Sequence, residues 1–443
     1  MRHFPTSDRP LKIAVVGTGI AGLSAGWLLA QRHDVTVFEA DNRIGGHSHT
    51  VQAGGAPVDT GFIVYNEATY PNLTALFAHL GVPTKASDMS FSVSMDDGQL
   101  EYAATNLAGL FAQRSNLASP RFWSMLRDLV RFYRHAPSGV RNLDPAASLN
   151  DYLDSAGFGR AFREDHLYPM AAAIWSTPAL EIGNYPALSF VRFCENHGLL
   201  KFVRRPVWRT VDGGSRAYLE RLTAPLRERI RVNAPVKSIR RVNGAVEISV
   251  LGAEPEWFDH VVIGAHADQA LGMLADRSKK EAALLSVFSY GDNETVLHRD
   301  ERLMPNRRRV WASWNYLARS GRDGTAPRKP CVTYWMNRLQ GIEDPRPFFV
   351  TLSPLHAVAE DKVIWRGVYQ HPLFNAQTLA AQKQLWSLQG EDNTWFCGSY
   401  FGSGFHEDAI QAGLAVAESL GDMARPWSVE GESDRIFRTL QSA

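Results

Sequence analysis

Lys12-Ile-Ala-Val-Val-Gly17-Thr-Gly19-Ile-Ala-Gly22 runs on through Leu23 to Gln31 and is followed by Asp34-Val-Thr-Val-Phe-Glu39. The first five residues are an apolar run with β-branched members that stops at a glycine, the pattern of a strand buried on both faces. Ile20 to Gln31 is rich in Ala and Leu and free of proline, which predicts a helix. Val35 to Phe38 is a second short strand, so the whole reads as a βαβ unit. Within it each glycine has a physical task. Gly17 permits the tight turn out of the strand, Gly19 lets a pyrophosphate approach the backbone, and Gly22 lets helix and strand pack closely. The N–H groups at Ile20, Ala21 and Gly22, at the positive end of the helix dipole, are placed to hold phosphates. Glu39, with Ala40 beside it, lies 22 residues past Gly17, where an acid bonds a ribose hydroxyl. A glycine-rich turn alone would be weak evidence, but here strand, helix and terminal acid all fall at the required offsets.

Working outward, Arg43-Ile44-Gly45-Gly46 sets a guanidinium and a second glycine pair just past the second strand, followed by His47. Val58-Asp59-Thr60-Gly61-Phe62-Ile63-Val64-Tyr65 reads as a strand after the Gly54-Gly55-Ala56 turn. Tyr70 to Leu80 has one apolar face and reads as a helix. Near the other end, Thr394-Trp395-Phe396-Cys397-Gly398-Ser399-Tyr400 reads as a strand ending in glycine. Gly402-Ser403-Gly404-Phe405-His406-Glu407-Asp408 then leads into a helix over Ala409 to Leu420.

These motifs resemble the superfamily of flavin amine oxidases, protoporphyrinogen oxidases and phytoene-type desaturases. The resemblance covers nearly the whole chain and is strongest at both ends. It implies an α/β fold in which a Rossmann-like FAD-binding domain (1–70, 206–279 and 389–443) is interleaved with an α+β substrate domain (71–205 and 280–388). The substrate domain would combine a mixed sheet with a helical part over about 100–205. It also implies FAD as cofactor, held by Gly17, Gly19, Ile20, Ala21, Gly22, Glu39, Ala40, Arg43, Gly45, Gly46 and His47. The backbone of Thr60, Gly61 and Phe62 would lie beside the flavin ring, with Val236 at the adenine. Gly398, Gly404, Phe405 and His406 would lie at the flavin pyrimidine, where a helix N-terminus stabilises the negative charge of the reduced form. The chain departs from the family at His47, where arginine is usual, and at Tyr400, where an acid commonly bonds the ribityl chain.

Between the two motifs the sequence is less specific. Phe122, Met125, Leu126, Leu129 and Tyr133 form an apolar stripe on a helix whose other side carries Arg127, Asp128, Arg131 and Arg134. Packing on its own domain is the more ordinary reading; a basic amphipathic contact with a membrane surface is the sharper one. Lys201 to Arg209, basic and aromatic, could share that role or line a substrate entrance. Strands are expected at Ile230–Val232, Ala234–Val242, Val246–Val250 and Phe258–Ala265, with Asn243-Gly244 as a hairpin turn. Aromatic strands follow at Val287–Tyr290, Val310–Tyr316, Cys331–Met336 and Phe348–Leu352. Trp311, Trp314, Tyr316, Tyr334 and Trp335 are read as core or cavity lining rather than as a cage for an amine.

Composition narrows the function classes. A formal net charge of +1 gives no global field for nucleic acid or another anionic partner. Cys194, Cys331 and Cys397 are too few and too scattered for a disulfide framework or a Cys-x-x-Cys metal site. No metal-ligand spacing, Ser-His-Asp elbow or Walker loop competes with the dinucleotide reading. No run approaches the ~18 apolar residues of a membrane-spanning helix, and Met1 to Pro10 lacks the apolar stretch of a signal peptide. A cytoplasmic protein is expected, with contact at the inner face of the membrane as a further option.

The hydride donor is the open question. Amine oxidases of the resembled family usually carry a lysine near flavin N5, and the corresponding stretch, Tyr290 to Asp300, has none. His371, in Tyr369-Gln370-His371-Pro372, lies about where monoamine oxidases attach flavin through cysteine, so non-covalent FAD is expected. His371 and His406 are the catalytic candidates. His298 reads as a locally satisfied strand histidine. Asp59-Thr60-Gly61-Phe62, Leu297-His298-Arg299-Asp300 with Met304-Pro305, and Gly404 to Asp408 together resemble a bacterial branch linked to cyclopropane and branched fatty-acid metabolism. That resemblance implies desaturation of a lipid-like chain. Amine oxidation is the alternative, and a flavin-bound lipid-binding or sensing protein without turnover is the second alternative.

Overall fold

The computed structural model describes residues 9–144, 147–175, 182–201, 205–319 and 329–438. The opening stretch folds as its spacing requires: strand Lys12–Val16, helix Ile20–Leu29, strand Asp34–Phe38. These strands lie at the centre of a five-stranded parallel sheet. Its order is Ile230–Arg231, Asp34–Phe38, Lys12–Val16, His260–Ile263, Thr394–Phe396. Three segments far apart in sequence therefore share one sheet. The closing helix, His406–Gly421, packs along Ile20–Leu29. This contact needs a bare Cα at Gly413, where a Cβ would fall 2.2 Å from the Ala21 carbonyl oxygen. Gly22 is under the same constraint, since its Cβ would lie 2.1 Å from the Gly17 oxygen.

A second, seven-stranded mixed sheet runs Val363–Leu373, Ser289–His298, Phe349–Leu352, Lys329–Trp335, Trp314–Arg319, Phe91–Met95, Leu100–Ala103. Its Trp314–Arg319 and Phe91–Met95 strands pair in parallel, and the other pairs are antiparallel. Helices including Pro120–Gly139 and Ala187–Asn196 pack around an apolar core of their own. The Asn243-Gly244 turn joins strands Val236–Val242 and Ala245–Val250 with both residues at positive φ, 51° and 79°, the conformation a two-residue hairpin favours.

Several expectations require correction. Val58 to Tyr65 is not one strand: Ala56–Asp59 pairs with Thr50–Ala53, and only Tyr65–Asn66 resumes pairing, with Trp208–Val211. Between them Thr60 and Phe62 donate from their N–H groups to the His49 and His47 carbonyls at 2.9 and 2.8 Å. That pulls the chain across the Gly45-Gly46 loop. Phe258 to Ala265 is likewise split, because Glu256–Phe258 belongs to an antiparallel sheet and His260–Ile263 to the parallel one. Strand pairing begins at Trp314 rather than Val310, since Val310 ends a 3₁₀ turn. The arginine-rich helix is longer than expected, Pro120–Gly139, and buries Phe122, Met125, Leu129, Phe132 and Tyr133 within the protein. Its apolar stripe is thus occupied and not available to a membrane surface. In the Lys201 to Arg209 cluster, residues 202–204 lie outside the described residues, as do residues 1–8 of the polar start. Among the described residues no helix is long and apolar enough to cross a membrane.

Asp59 ties the Thr50–Ala53/Ala56–Asp59 ribbon to the start of one helix and the end of another, at Ser215 before Arg216–Thr223 and at Gln340 after Met336–Leu339. Its buried carboxylate accepts from Thr50 Oγ1 at 2.6 Å, Ser215 N at 2.9 Å, Ser215 Oγ at 2.8 Å and Gln340 Nε2 at 2.7 Å. Burial pushes its pKa from 3.8 up to about 6, against the pull of those donors. The folded state therefore holds the proton more tightly than the unfolded chain. The associated stability is complete below about pH 4 and is lost as pH rises through about 6. Asp59→Ala is expected to lower stability by about 1–3 kcal/mol through the donors left unpaired. It should also flatten the pH dependence between 4 and 6 in denaturant melts. Unchanged stability and an unchanged slope would contradict this account.

Candidate cofactor and substrate site

The carboxyl ends of the parallel strands open into one continuous cavity of about 690 Å³ that runs from the glycine loop to the seven-stranded sheet. Ligands of open α/β sheets bind at this edge. At the outer end, Glu39 terminates the second strand. Its carboxylate accepts from Thr18 N at 2.9 Å, from Thr18 Oγ1, and from Asp41 N at 2.9 Å. The Glu39 carbonyl accepts from Ala234 N at 2.8 Å, which draws Ala234, Pro235 and Val236 into the same wall. Next along the cavity is the loop at Gly17 to Ala21. A Cβ at Gly19 would meet nothing within 4 Å, so this backbone borders open space. Gly45, Gly46 and His47 face it, followed by Thr60, Gly61 and Phe62. A Cβ at Gly61 would fall 2.1 Å from the His47 carbonyl oxygen, so only glycine brings these two segments together.

The inner end is capped by the start of the closing helix. Phe405 is its N-cap, and the Phe405 N–H donates to Asp408 Oδ2 at 2.8 Å. Gly398, Ser403, Gly404, Phe405 and His406 line the cavity here. The His406 ring stacks on Phe62 with centroids 3.7 Å apart, and its Nε2 lies 3.0 Å from Ser48 Oγ and 3.3 Å from Tyr218 OH. On the opposite wall His47 lies 5.4 Å from His371 and 6.3 Å from His266, ring to ring. His371 Nδ1 is 2.9 Å from Asn293 Nδ2, an amide nitrogen that only donates, so this ring nitrogen accepts. Burial lowers the pKa of all four histidines: His406 to about 3, His371 to about 4, His47 well below the usual range and His266 in the same direction. All four rings are neutral near pH 7. His47 therefore does not supply the permanent positive charge of the arginine usual at that position. His47 Nε2 and His266 Nδ1 are buried without a hydrogen-bond partner.

Beyond Phe405 the cavity continues as an arm walled by Met89, Ile174, Phe193, Leu199, Trp314 and Leu352, among others. Among the described lining residues no Lys, Arg or Asp occurs, and Glu39, at the far end, is the single carboxylate. Described residues hold no cluster of His, Cys, Asp and Glu able to bind a metal.

Of the residues expected from sequence, Gly22 and Arg43 are not in the wall. Gly22 packs helix against strand, and Arg43 Nη1 donates to the Gly46 carbonyl at 2.8 Å, buttressing the loop from behind. The other expected residues, from Gly17 to His406, line the cavity, His371 and Val236 included. His298 does not; it is buried between Thr351 Oγ1 at 2.6 Å and the Asp300 N–H at 3.0 Å. Tyr400, in place of the usual acid, lines the wall with its hydroxyl buried and unpartnered. Sequence reasoning missed Thr18, His266, Tyr290 and Tyr369 in this wall. His266 could have been found, because it follows the parallel strand His260–Ile263 at its carboxyl end.

The arrangement fits an elongated dinucleotide. An acid stands at one end, a glycine loop and helix N-terminus in the middle, and a second helix N-terminus at the other end, with open space along the backbone between them. With such a group in place, the described residues around the remaining volume carry no charged side chain and are mostly apolar, with Tyr70, His197, Trp208 and Tyr334 as the polar members.

A family model described as flavin containing amine oxidoreductase matches residues 20–286. A Mycobacterium tuberculosis protein described as a flavin-containing monoamine oxidase is 26% identical over 250 residues, 54% of this chain and 53% of that protein. The chain thus spans about half the length of the curated relatives it matches. Among solved structures, a CLA-producing fatty acid isomerase from P. acnes superposes with TM-score 0.66 at 17% identity, covering 94% of this chain and all of that one. Wild-type putrescine oxidase bound to putrescine superposes with TM-score 0.67 at 14% identity, covering 95% and 100%. At these identities the likeness is one of fold.

Proposed function

This chain belongs to the flavin containing amine oxidoreductase family, and we propose that it holds FAD non-covalently and dehydrogenates a lipid-like or modified fatty-acyl chain. The observation that carries the substrate class is the uncharged apolar wall of the inner arm. A protonated amine entering that arm would find, among the described residues, no carboxylate to offset its desolvation, whereas an acyl chain gains by burial there. Glu39 would bond the adenosine ribose, Val236 would border the adenine, and the Gly17–Ala21 and Gly45–Gly46 backbones would cradle the pyrophosphate. Phe405 and His406 would lie at the pyrimidine edge. Bound FAD supplies a hydride acceptor. Removing two hydrogens from adjacent carbons then sends one as hydride to the flavin and one as a proton to water or a base, leaving a carbon–carbon double bond. The neutral rings at His371 and His406 would act by orienting and by excluding water, since pKa values of about 4 and about 3 make them weak proton acceptors. Non-covalent attachment is supported by the absence of cysteine from the wall: Cys194, Cys331 and Cys397 are buried elsewhere and do not line the cavity.

Anaerobic mixing of the holoprotein with phospholipids or free fatty acids of modified chain should bleach the flavin, and common mono- and polyamines should not. Bleaching by amines alone would overturn the assignment. A second expectation concerns nicotinamides. The sequence contains one Gly-x-Gly-x-x-Gly fingerprint, Gly17 to Gly22, which FAD would occupy, so NADH and NADPH should reduce the flavin slowly or not at all. Rapid, saturable reduction by either in stopped flow would refute this.

A further inference from the structure

We propose that the outward face of the Pro120–Gly139 helix, together with the segment before it, docks on an anionic lipid bilayer; the inference is independent of what the cavity binds. The inward face of this helix is filled by the protein's own core, and other residues point the opposite way. Trp123 is 50% exposed, Leu117 54% and Leu107 74%. They form one patch. The Trp123 indole N–H donates to the Leu117 carbonyl at 2.9 Å, the Trp123 ring lies 5.5 Å from that of Phe111, and the Phe111 N–H donates to the Leu107 carbonyl at 3.1 Å. Contiguous exposed apolar side chains mark an interaction surface, where single ones do not. With its N–H already bonded, Trp123 offers the outside only apolar ring, the form suited to the boundary between lipid headgroups and acyl chains.

Charge identifies the partner. Tyr102 to Arg127 contains Arg114, Arg121 and Arg127 and no Asp or Glu. Arg127 and Arg134 follow Trp123 by four and eleven residues, which puts them on the same face of the helix. The Arg127 side chain is 74% exposed, and Arg114 and Arg134 are exposed as well. The carboxylates beside this face are largely committed. Asp165 and Glu164 pair with Arg121 at 2.6 and 3.1 Å, and the buried Asp128 accepts from the Gly159 N–H at 2.9 Å. Asp128 also lies 3.4 Å from Arg127 Nε and offsets that charge in part. Arg114 and Arg134 form no ion pair with a described residue. The face is thus apolar at one end and cationic along its length. A bilayer of anionic lipid meets both needs, since the apolar side chains enter the acyl boundary while guanidinium groups bond phosphate oxygens. A second copy of this chain docked through the same patch would set arginine against arginine, which disfavours self-association.

The test is co-sedimentation of the holoprotein with vesicles of phosphatidylcholine alone, or of phosphatidylcholine and phosphatidylglycerol in equal parts. The wild type should bind the anionic vesicles about tenfold or more tightly than the neutral ones, and high salt should weaken that binding. Trp123→Ser alone should weaken it, and Leu107→Ser, Leu117→Ser and Trp123→Ser combined should abolish it. Arg114→Gln, Arg127→Gln and Arg134→Gln combined should reduce it about tenfold or more. Arg216→Gln, Arg221→Gln and Arg227→Gln combined, the same loss of charge on exposed arginines elsewhere, should leave it unchanged. Flavin content and denaturation midpoint check that each variant is folded. Absent binding by the wild type, equal binding to both vesicles, unchanged binding in either patch variant, or an equal loss in the control would overturn the inference. A dimer in sedimentation velocity that the apolar variant dissociates would assign the patch to a second copy and overturn it too. None of these outcomes bears on the acyl-chain reading, which flavin reduction decides separately.

Discussion

Arg435→Met is expected to lower the stability of the fold by about 3–5 kcal/mol. Arg435 Nη1 lies 3.4 Å from Asp408 Oδ1, and Asp408 is fully buried in the first turn of the closing helix. Burial raises the Asp408 pKa and the Arg435 charge opposes that rise. The neighbouring Glu407 is also buried; it accepts from Asn72 Nδ2 at 2.8 Å and Leu73 N at 3.0 Å, and Arg435 offsets its charge too. Removing the guanidinium leaves a buried carboxylate without its cation, which costs more than the pair contributes when intact. The pH dependence carries the signature. A carboxyl held above its unfolded pKa contributes stability at low pH that is lost as pH rises through the folded value. In the variant that folded value climbs further, so the deficit should be largest near neutral pH and shrink on acidification. Because Asp408 also accepts from the Phe405 N–H, flavin content should fall along with the denaturation midpoint. Equal loss at all pH values, or none, would contradict this placement of charge.

Glu39→Ala is expected to weaken FAD binding by about 1.5–3 kcal/mol, roughly ten- to 150-fold in Kd, the range of hydrogen bonds to a charged group. The carboxylate is half-buried at the strand end and held by the Thr18 and Asp41 N–H groups. It is therefore set in place before ligand arrives, which limits the ordering cost of binding. Glu39→Asp should retain part of the affinity, since the acid survives but falls short by one methylene. The measurement is equilibrium titration of apoprotein with FAD. Wild-type affinity in the alanine variant would remove Glu39 from the cofactor site.

The nucleotide half was legible from sequence because its geometry depends on residues that cannot be exchanged. Gly17, at φ 98°, and Gly22, whose Cβ would meet the Gly17 oxygen, must be glycine wherever strand and helix approach this closely. The closing helix was legible for the same reason, through Gly404 at φ 92°. The Thr60 to Phe62 crossing was hidden, because an apolar run such as Phe62-Ile63-Val64 fits a strand equally well. What bends it is a carbonyl at His47, a contact with no local signature. The Phe91–Met95 and Leu100–Ala103 strands were missed as well; they pair with each other and join the rest of the sheet only through Phe91–Met95 against Trp314–Arg319, more than 200 residues away. The arm residues Phe193 and His197 show a third limit. Helical periodicity marks a buried face but does not say whether that face meets another element or a cavity.

The most direct test of the central claim is the product formed in a single anaerobic turnover. Holoprotein mixed with a chain-modified fatty acid or phospholipid should yield one reduced flavin for each lipid that loses two hydrogens, with a new double bond seen by mass spectrometry. Conversion of an amine to an aldehyde in the same assay, with the lipid unchanged and the flavin reduced by the amine alone, would contradict it.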